Sequence, residues 1–550
     1  MPKVFDAGSR FFHTFFCNGV AAALLFVVAF GSGLFAADSC QLNITLVDDQ
    51  TGKPVVGLIR VKRPNGKSVA ITNLLQRGAM LKRSGPAKEW HCLIGPTTVS
   101  VPRAQLTIEG FSGLETEMAV ARLDLSGKAN AKVTLRLKRF FDAKLRGWRS
   151  ANTHVHTRRM TRDESDSYLQ TIGRADDLEL IFVSHLLREG ADKTYTSNVY
   201  TKEDLHRLST KDLLFENGEE HRHNFGPGGE GFGHVMLLNL NELVRPVSVG
   251  PGIMKIGTDA PPLAQGIQTA RGDGGTVIWC HNMFGLEDIP NWLDGRVHAQ
   301  NIFDGGNHGS YKDTFYRYLN LGLRVPFSTG TDWFIYDFSR VYADLNGADM
   351  SSENWLNALR SGRTFISNGP LLDLQIGDAK IGETIRLTSP GKLQVRASAQ
   401  GRSNFSKIEL IRNGKIVASA NSQPDSNHFT AELSHSIDAT ESGWMALRVA
   451  NRILPTAPQT PIRGSGAGKN ELGEGLFAHT SPIYIQVGDS EVFDAATAAE
   501  LLREMEKALL TIQTKGVFAN ERERERVSAV YEVAILNLAN RIASAKVRAK

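Results

Sequence analysis

The chain has 550 residues, of which 41% are hydrophobic and 22% are charged. This composition is that of an ordinary globular protein, and it excludes collagen, wholesale disorder and a multi-span membrane protein. Lysine and arginine outnumber aspartate and glutamate by 63 to 58, an excess too small for a chain of this length to indicate nucleic acid binding. Four cysteines are too few for a disulfide scaffold.

The first residues have the pattern of an export signal. Basic residues precede an apolar run over 20–37, which ends in small residues. This pattern predicts a signal peptide over 1–37 and a periplasmic or secreted protein. The alternative is an uncleaved membrane anchor, because the run is long and almost uncharged. Export would allow Cys40 and Cys92 to form a disulfide, a pairing that the sequence leaves open.

Apolar patterning divides the rest of the chain into segments. Residues 41–138 are typical of an N-terminal, sandwich-like β domain of the accessory kind. Over 147–370, short continuous apolar runs alternate with amphipathic stretches. Strands buried on both faces have such runs, so this segment is predicted to be an α/β domain, for which a barrel is one arrangement.

The C-terminal third returns to a β pattern. Residues 371–488 are predicted to form a β-sandwich, which contains a long loop rich in glycine, proline and serine over 454–475. Residues 490–550 have two apolar stripes at helical spacing on either side of Gly516. These stripes predict a helical hairpin as the tail of the chain.

Histidine is distributed unevenly along the sequence. Ten of the 15 histidines lie between His154 and His308. Histidine is the commonest metal ligand in proteins. Residues i and i+2 of a strand point to the same side, so His154 and His156 can both reach one metal ion.

Further ligand-type residues lie at the edges of separate apolar runs: His185, Glu220, His234, His281 and Asp332. In α/β barrels the active site lies at the carboxyl ends of the strands, and three of these residues follow a run directly. Each residue alone has an ordinary explanation as a buried core histidine or a helix cap. Together, in one segment, they predict a multinuclear metal site.

These residues resemble the motifs of a known family. Residues 147–156, Gly-Trp-Arg-Ser-Ala-Asn-Thr-His-Val-His, are similar to the first motif of the PHP (polymerase and histidinol phosphatase) metallohydrolases. The resemblance is closer to their CehA/McbA-like branch. The other similar segments are 218–220 with 233–238, 276–281, 328–332, 363–370 and 477–482.

The resemblance implies a distorted (β/α)7 barrel, flanked by the two β domains, whose strand ends hold two or three divalent metal ions. Two of these ions would share Glu220 as a bridge. The remaining ligands would be His154, His156 and Asp332 for one ion, and His234 and His281 for the other.

A third ion would use His185 and a histidine two residues after the aspartate. In this chain that position is Phe334, and a phenyl ring cannot bind a metal. We therefore expect a dinuclear centre of zinc, manganese or iron, since histidine and carboxylate ligands do not decide among the three metals.

The resemblance implies a hydrolase of esters, carbamates or amides, or of phosphoesters as in the wider superfamily. Asp332 or His185 would move the proton during catalysis. The expected partner is a small-molecule substrate, without nucleic acid, and with membrane contact only through an uncleaved anchor; the oligomeric state stays open. The alternative is an exported binding or scaffold protein with a degenerate barrel. The full ligand set for two ions favours the enzyme.

Overall fold

The computed structural model describes residues 39–81, 85–187, 196–224, 231–281, 285–306, 316–449 and 468–548. The fold is mixed α/β, with one curled, half-barrel sheet and several further β-sheets, so the α/β class predicted from the sequence is confirmed. The predicted signal peptide over 1–37 lies outside the described residues. Among the helices that are described, none combines the length and the apolar character needed to cross a membrane.

The described residues of the N-terminal unit form seven strands in two sheets. The strands are β1 (Ser39–Asp48), β2 (Gly57–Lys62), β3 (His91–Leu93), β4 (Thr97–Pro102), β5 (Gln105–Phe111), β6 (Ala119–Asp124) and β7 (Asn130–Leu137). One sheet has the order β4-β1-β7 and the other β3-β2-β5-β6. Alternate side chains of both sheets, such as Leu42 and Ile59, face one shared core. Cys40 is buried in this core and Cys92 in the neighbouring core that includes Trp90 and Phe111, and both are free thiols.

The central segment contains eleven strands of the described chain. They are β8 (Trp148–His156), β9 (Leu180–His185), β10 (Leu214–His223), β11 (Gly233–Leu238), β12 (Ser248–Val249), β13 (Thr276–Trp279), β14 (Ala299–Asn301), β15 (Phe327–Ser328), β16 (Asp332–Trp333), β17 (Arg340–Asp344) and β18 (Thr364–Ser367). The helices between them are α1 (Arg162–Ala175), α2 (Lys202–Leu208), α3 (Pro251–Met254), α4 (Leu263–Gly272), α5 (Asp288–Leu293), α6 (Arg317–Leu319) and α7 (Ser352–Arg360).

Strands β8 to β16 form what we call the curled sheet. Pairing runs in the order β16-β8-β9-β10-β11-β13-β14-β15 and is parallel except at β11, which is antiparallel to β10 and β13. Only residues 329–331 separate β15 from β16, so one stretch of chain forms both ends of this order. Helix α1 begins with a capping box in which Thr161 and Glu164 satisfy each other's backbone amides.

The C-terminal strands form two sets of paired strands whose buried side chains share one core. They are β19 (Leu371–Ile376), β20 (Ala379–Lys380), β21 (Thr384–Leu387), β22 (Gly391–Gly401), β23 (Lys407–Arg412), β24 (Lys415–Asn421), β25 (Gln423–Asp425), β26 (His428–Ala439), β27 (Gly443–Val449), β28 (Ala478–Thr480) and β29 (Ile483–Val487). One sheet has the order β20-β19-β22-β26-β25. The facing strands run β24-β23-β27-β29-β21, and β28 joins them to β18.

The tail hairpin consists of α8 (Ala495–Lys515) and α9 (Glu521–Arg548). Its buried side chains, among them Met505 and Tyr531, pack into the same core as helices α4 to α7. Its turn is tied to the central segment by Asp259. The backbone amide of Asp259 donates to the carbonyl of Val517 at 2.8 Å, and the Asp259 carboxylate accepts the Val517 amide at 2.7 Å.

Replacing Asp259 by alanine tests this anchor. The substitution removes the acceptor of the Val517 amide and the carboxylate that lies 2.9 Å from His223 Nε2. We expect the free energy of unfolding, measured in urea, to fall by about 1–3 kcal/mol. The control is Asp273→Ala, because Asp273 accepts two hydrogen bonds from Asn241 at an exposed site. Equal losses in the two variants would contradict the anchor.

Candidate metal centre

Six of the seven sequence-predicted ligands meet at one edge of the curled sheet. His154 and His156 lie at the end of β8, and Glu220 lies in the second half of β10. His281 follows β13, and Asp332 is the first residue of β16.

His234 is an instructive exception, because it stands near the start of β11 rather than at its end. Since β11 runs antiparallel to β10 and β13, its start lies at the same edge as their ends. His234 pairs with Arg222 across the two strands, and Arg222 shares a face of β10 with Glu220 two residues earlier. The reversed strand therefore places the His234 imidazole beside the Glu220 carboxylate.

The first donor group consists of His154, His156, Glu220 and Asp332, whose ligand atoms all lie within 4.8 Å of one another. The two Nε2 atoms of His154 and His156 are 2.9 Å apart. Oε2 of Glu220 lies 3.1 Å from His156 Nε2, and Oδ1 of Asp332 lies 3.6 and 3.7 Å from the two Nε2 atoms.

The second donor group consists of Glu220, His234 and His281. Oε1 of Glu220 lies 3.1 Å from His234 Nδ1 and 3.7 Å from His281 Nε2. The two oxygens of one carboxylate thus face different donor groups. A carboxylate in this position could be a ligand in both groups.

The hydrogen bonds of Nδ1 fix the tautomers of His154 and His156. Nδ1 of His156 lies 2.7 Å from the carbonyl oxygen of Ser184, which can only accept, so this nitrogen carries the proton. Nδ1 of His154 donates to Oδ2 of Asp304 at 2.6 Å. In the neutral imidazoles Nε2 then has only a lone pair. Two lone pairs at 2.9 Å repel each other, and a cation between them turns this repulsion into ligation.

The protonation states suit metal binding at neutral pH. Burial raises the pKa of Glu220, but Arg222 and the facing histidines outweigh burial and hold it well below its ordinary value. Burial and the charge of Arg222 lower the pKa of His234 to about 3. Glu220 is therefore ionised and His234 neutral, as ligation requires.

His154 behaves differently when no cation is bound. Burial lowers its pKa, but the carboxylate of Asp304 outweighs burial and raises the pKa well above the ordinary value. Nε2 of His154 then carries a proton and donates a hydrogen bond to Nε2 of His156 at 2.9 Å. A metal ion that binds at this atom has to displace that proton.

An unsatisfied oxygen supports the fit of a cation to the first donor group. Oδ1 of Asp332 is buried and accepts no hydrogen bond from the residues that the structure describes. A buried polar atom without a partner is costly, and ligation removes this cost. The mixed nitrogen and oxygen donor set suits zinc, manganese or iron.

The backbone at the site is strained. His281 has a φ of +48° and Asp332 a φ of +57°, and Phe334 follows at +61°. These left-handed conformations are unfavourable for residues other than glycine, and they persist where surrounding contacts enforce them, often at functional sites. Both donor groups thus contain a ligand on constrained backbone.

His185 joins neither donor group within the described residues. The register pairs His185 with Glu219, next to Glu220 along β10, so the side chains of His185 and Glu220 leave opposite faces of the sheet. Burial lowers the pKa of His185 to about 4. The predicted third ion finds no second ligand at Phe334 either, because its ring packs against Tyr168 with centroids 5.7 Å apart.

Sequence reasoning missed Asp304 and Arg222. Asp304 orients His154 and also accepts a hydrogen bond from Asn301 Nδ2 at 3.0 Å. Its signal in the sequence was a carboxylate just after a strand, but β14 has only three residues and gives no clear apolar run. Arg222 lies 3.6 Å from Oε1 of Glu220, and its position at i+2 from that ligand was the available signal.

Comparison with known proteins adds no family assignment. No family model matches the chain, and no curated protein matches it. The case for a metal centre therefore rests on the geometry of the two donor groups.

Substitutions at the shared and unshared ligands should separate the two groups. We expect Glu220→Gln to lose all bound divalent metal, because both groups use this carboxylate. Asp332→Asn and His234→Ala should each weaken the binding of one metal ion per chain and leave the other bound. Elemental analysis after dialysis against zinc or manganese measures the stoichiometry.

The control for this series is His428→Ala, which removes a buried histidine paired with Glu117 at 3.0 Å, outside both donor groups. It should retain the metal content of the unmodified chain. A Glu220→Gln protein with unchanged metal content would refute the bridging arrangement.

Metal binding should also release a proton from His154. Calorimetry in buffers of different ionisation enthalpy should show about one proton released per His154-bound ion near pH 7, and affinity should fall as the pH falls, because protons compete for Nε2. Asp304→Asn should reduce this release, since the carboxylate that raises the pKa of His154 is gone, and should weaken binding about 10–100-fold.

The matched control for Asp304→Asn is Asp259→Asn, which alters a buried aspartate–histidine pair with His223, 2.9 Å apart and outside both donor groups. Proton release that is the same in Asp304→Asn and in the unmodified chain would contradict the role given to Asp304.

Proposed function

We propose that this chain is an exported metal-dependent hydrolase with a dinuclear centre. The observation that carries the proposal is Glu220, a buried carboxylate whose two oxygens face two separate sets of donors, one of two histidines and an aspartate and the other of two histidines. Hydrolases that use paired cations need such a bridge, because it holds both ions at one reacting group.

The strand order supports the more specific proposal of a PHP-type barrel. Strands β8, β9, β10, β11, β13 and β14 follow one another in the pairing order, and the stretch from β15 to β16 is the seventh position beside β8. A seven-stranded, partly antiparallel ring agrees with the resemblance of the sequence motifs to that family. The donor groups lie at the edge where active sites of such barrels occur.

When bound, a pair of divalent cations supplies a water of lowered pKa and positive charge against the developing oxyanion. The chain's own residues set the conditions for this chemistry. Asp304 and the Ser184 carbonyl turn the lone pairs of His154 and His156 inward. Arg222 adds a fixed positive charge 3.6 Å from Glu220, which favours substrates whose reacting oxygen becomes negative.

We assign the proton transfer to Asp332 rather than to His185. Oδ1 of Asp332 faces both Nε2 atoms of the first donor group, and burial raises the pKa of this carboxyl. A carboxylate with a raised pKa is a better base near neutral pH. His185 leaves the opposite face of the sheet from Glu220. The substrate is an ester, carbamate, amide or phosphoester, since each contains an oxygen that becomes negative during attack.

Steady-state hydrolysis tests this proposal. The zinc- or manganese-loaded chain should turn over aryl esters or aryl phosphoesters, and Glu220→Gln and Asp332→Asn should each lower kcat about 100-fold or more. His185→Gln should lose less than tenfold, because His185 lies outside both donor groups. If His185→Gln lowered kcat as much as Asp332→Asn, His185 would have a role in catalysis, contrary to this assignment.

A chain that binds two metal ions and hydrolyses neither substrate class would favour the alternative, a degenerate binding or scaffold protein. Phe334 in place of the third-site histidine is the observation that favours that alternative. A chain that binds no divalent metal at all would overturn the enzyme proposal.

The export part of the proposal rests on residues 1–37. Expression of the full chain followed by mass spectrometry of its mature N-terminus checks it. Cleavage near Ala37 is expected for a signal peptide. An intact N-terminus in the membrane fraction would instead identify an anchor, and an intact chain in the cytoplasm would refute export.

A further inference from the structure

We infer that Arg77, a residue of the N-terminal unit, positions Asp332 by holding the loop that follows it. The inference rests on the proposed function in one respect, namely that Asp332 is a metal ligand. Arg77 touches neither donor group, so it would act through the backbone of residues 332–338.

Arg77 is a fully buried arginine that joins the N-terminal unit to the central segment. It lies between β2 and β3, and its side chain has no exposed surface. Its Nε and Nη2 atoms donate to the two carboxylate oxygens of Asp176 at 2.9 and 2.6 Å. A buried pair of this kind is weak evidence for stability, because the cost of desolvation offsets the attraction. The remaining hydrogen bonds of the guanidinium therefore need a separate explanation.

Those hydrogen bonds are made with residues 332–338, which we call the Asp332 loop. Nη1 of Arg77 donates to the carbonyl of Ile335, and Nη2 donates to the carbonyl of Asp337 at 3.3 Å. The guanidinium also lies over the ring of Phe338 at 5.7 Å. One side chain thus contacts three residues of the stretch that begins with the metal ligand.

This loop is under strain and needs external support. Asp332 and Phe334 have φ values of +57° and +61°, and such conformations persist only when their surroundings hold them. On the inner side, the Phe334 amide donates to the carbonyl of His156 at 2.8 Å. On the outer side, the Ile335 amide donates to the hydroxyl of Tyr168 at 2.9 Å. Arg77 donates to the carbonyl oxygens of Ile335 and Asp337.

The planar fork of arginine suits this task better than lysine would. Arginine presents several N–H donors in fixed directions, so it can bind a carboxylate and two carbonyls at once, whereas lysine is a point charge. Arg77→Lys therefore keeps a positive charge beside Asp176 and loses hydrogen bonds to the backbone carbonyls of Ile335 and Asp337. The first donor group should become less ordered while the second keeps its geometry.

The chain offers a closely matched control in Arg402. This arginine is also buried, forms an ion pair with Glu471 at 3.1 Å, and donates to the carbonyls of Thr116 and Gly113 at 2.7 and 2.6 Å. It likewise joins two parts of the chain, the C-terminal strands and the N-terminal unit. None of its hydrogen bonds among the described residues reaches the Asp332 loop.

The first experiment titrates the full-length Arg77→Lys and Arg402→Lys proteins with zinc against a chromophoric chelator. We expect Arg77→Lys to weaken one of two equivalents about 10–100-fold, as for residues that orient ligands, and to leave the other unchanged. Arg402→Lys should leave both unchanged, even where it lowers the thermal midpoint as much. Equal zinc affinities in the two variants would overturn the inference.

The second experiment does not depend on metal or activity. Amide hydrogen exchange of the metal-free proteins should be faster over 332–338 in Arg77→Lys than in Arg402→Lys, because local opening of that loop becomes easier. Unchanged exchange there would overturn the inference even if the chain were an active hydrolase. Faster exchange in a chain without hydrolase activity would uphold the positioning role while the proposed function failed.

A milder variant keeps the test available if Arg77→Lys does not fold. Tyr168→Phe removes only the hydroxyl that accepts the Ile335 amide. It should raise exchange over the same residues and weaken the same zinc equivalent, by a smaller factor. No change in either measurement would overturn the inference.

Discussion

The candidate metal centre depends on one ionised carboxylate, Glu220, which is buried away from water. Glu220 is 1% exposed, and two further carboxylates, those of Asp304 and Asp332, are close to the same imidazoles. Burying negative charge is expensive unless positive charge accompanies it. Arg222 and a protonated His154 supply part of that charge in the metal-free chain, and cations in the two donor groups would supply the rest. Much of the local architecture follows from this balance.

Part of this arrangement could be predicted from the sequence. The i, i+2 spacing of His154 and His156 and the position of His281 after an apolar run depend on local geometry, and local geometry is what a sequence pattern encodes. The mixed α/β class followed from the same runs. The pairing of ligands into two sets that share Glu220 came from the family resemblance rather than from the pattern.

Other features could not be predicted, because they depend on contacts between distant segments. Asp304 lies 150 residues from the His154 that it orients, and it follows a strand, β14, that is too short to produce a clear apolar run. His185 follows its run as the rule for strand ends requires, but the register of β9 against β10 sends its side chain to the other face. Arg77 and Ile335, which are joined by a hydrogen bond, are 258 residues apart in the sequence. No local pattern contains such information.

The pairing of β16 with β8 gives the first donor group a second significance. Asp332 and Trp333 pair with Val155 and His156, so the two ends of the curled sheet meet between the candidate ligands His154 and His156 on one strand and the candidate ligand Asp332 on the other. An ion chelated by all three would be a cross-link that closes a loop running from β8 to β16. Because the ion binds only the folded chain, it would stabilise the fold by an amount set by its affinity and concentration, about 2.7 kcal/mol at a hundred times its dissociation constant. The same metal ion would then serve the proposed reaction and stabilise the pairing of β16 with β8. Removing it would lower the stability of the curled sheet as well as the activity.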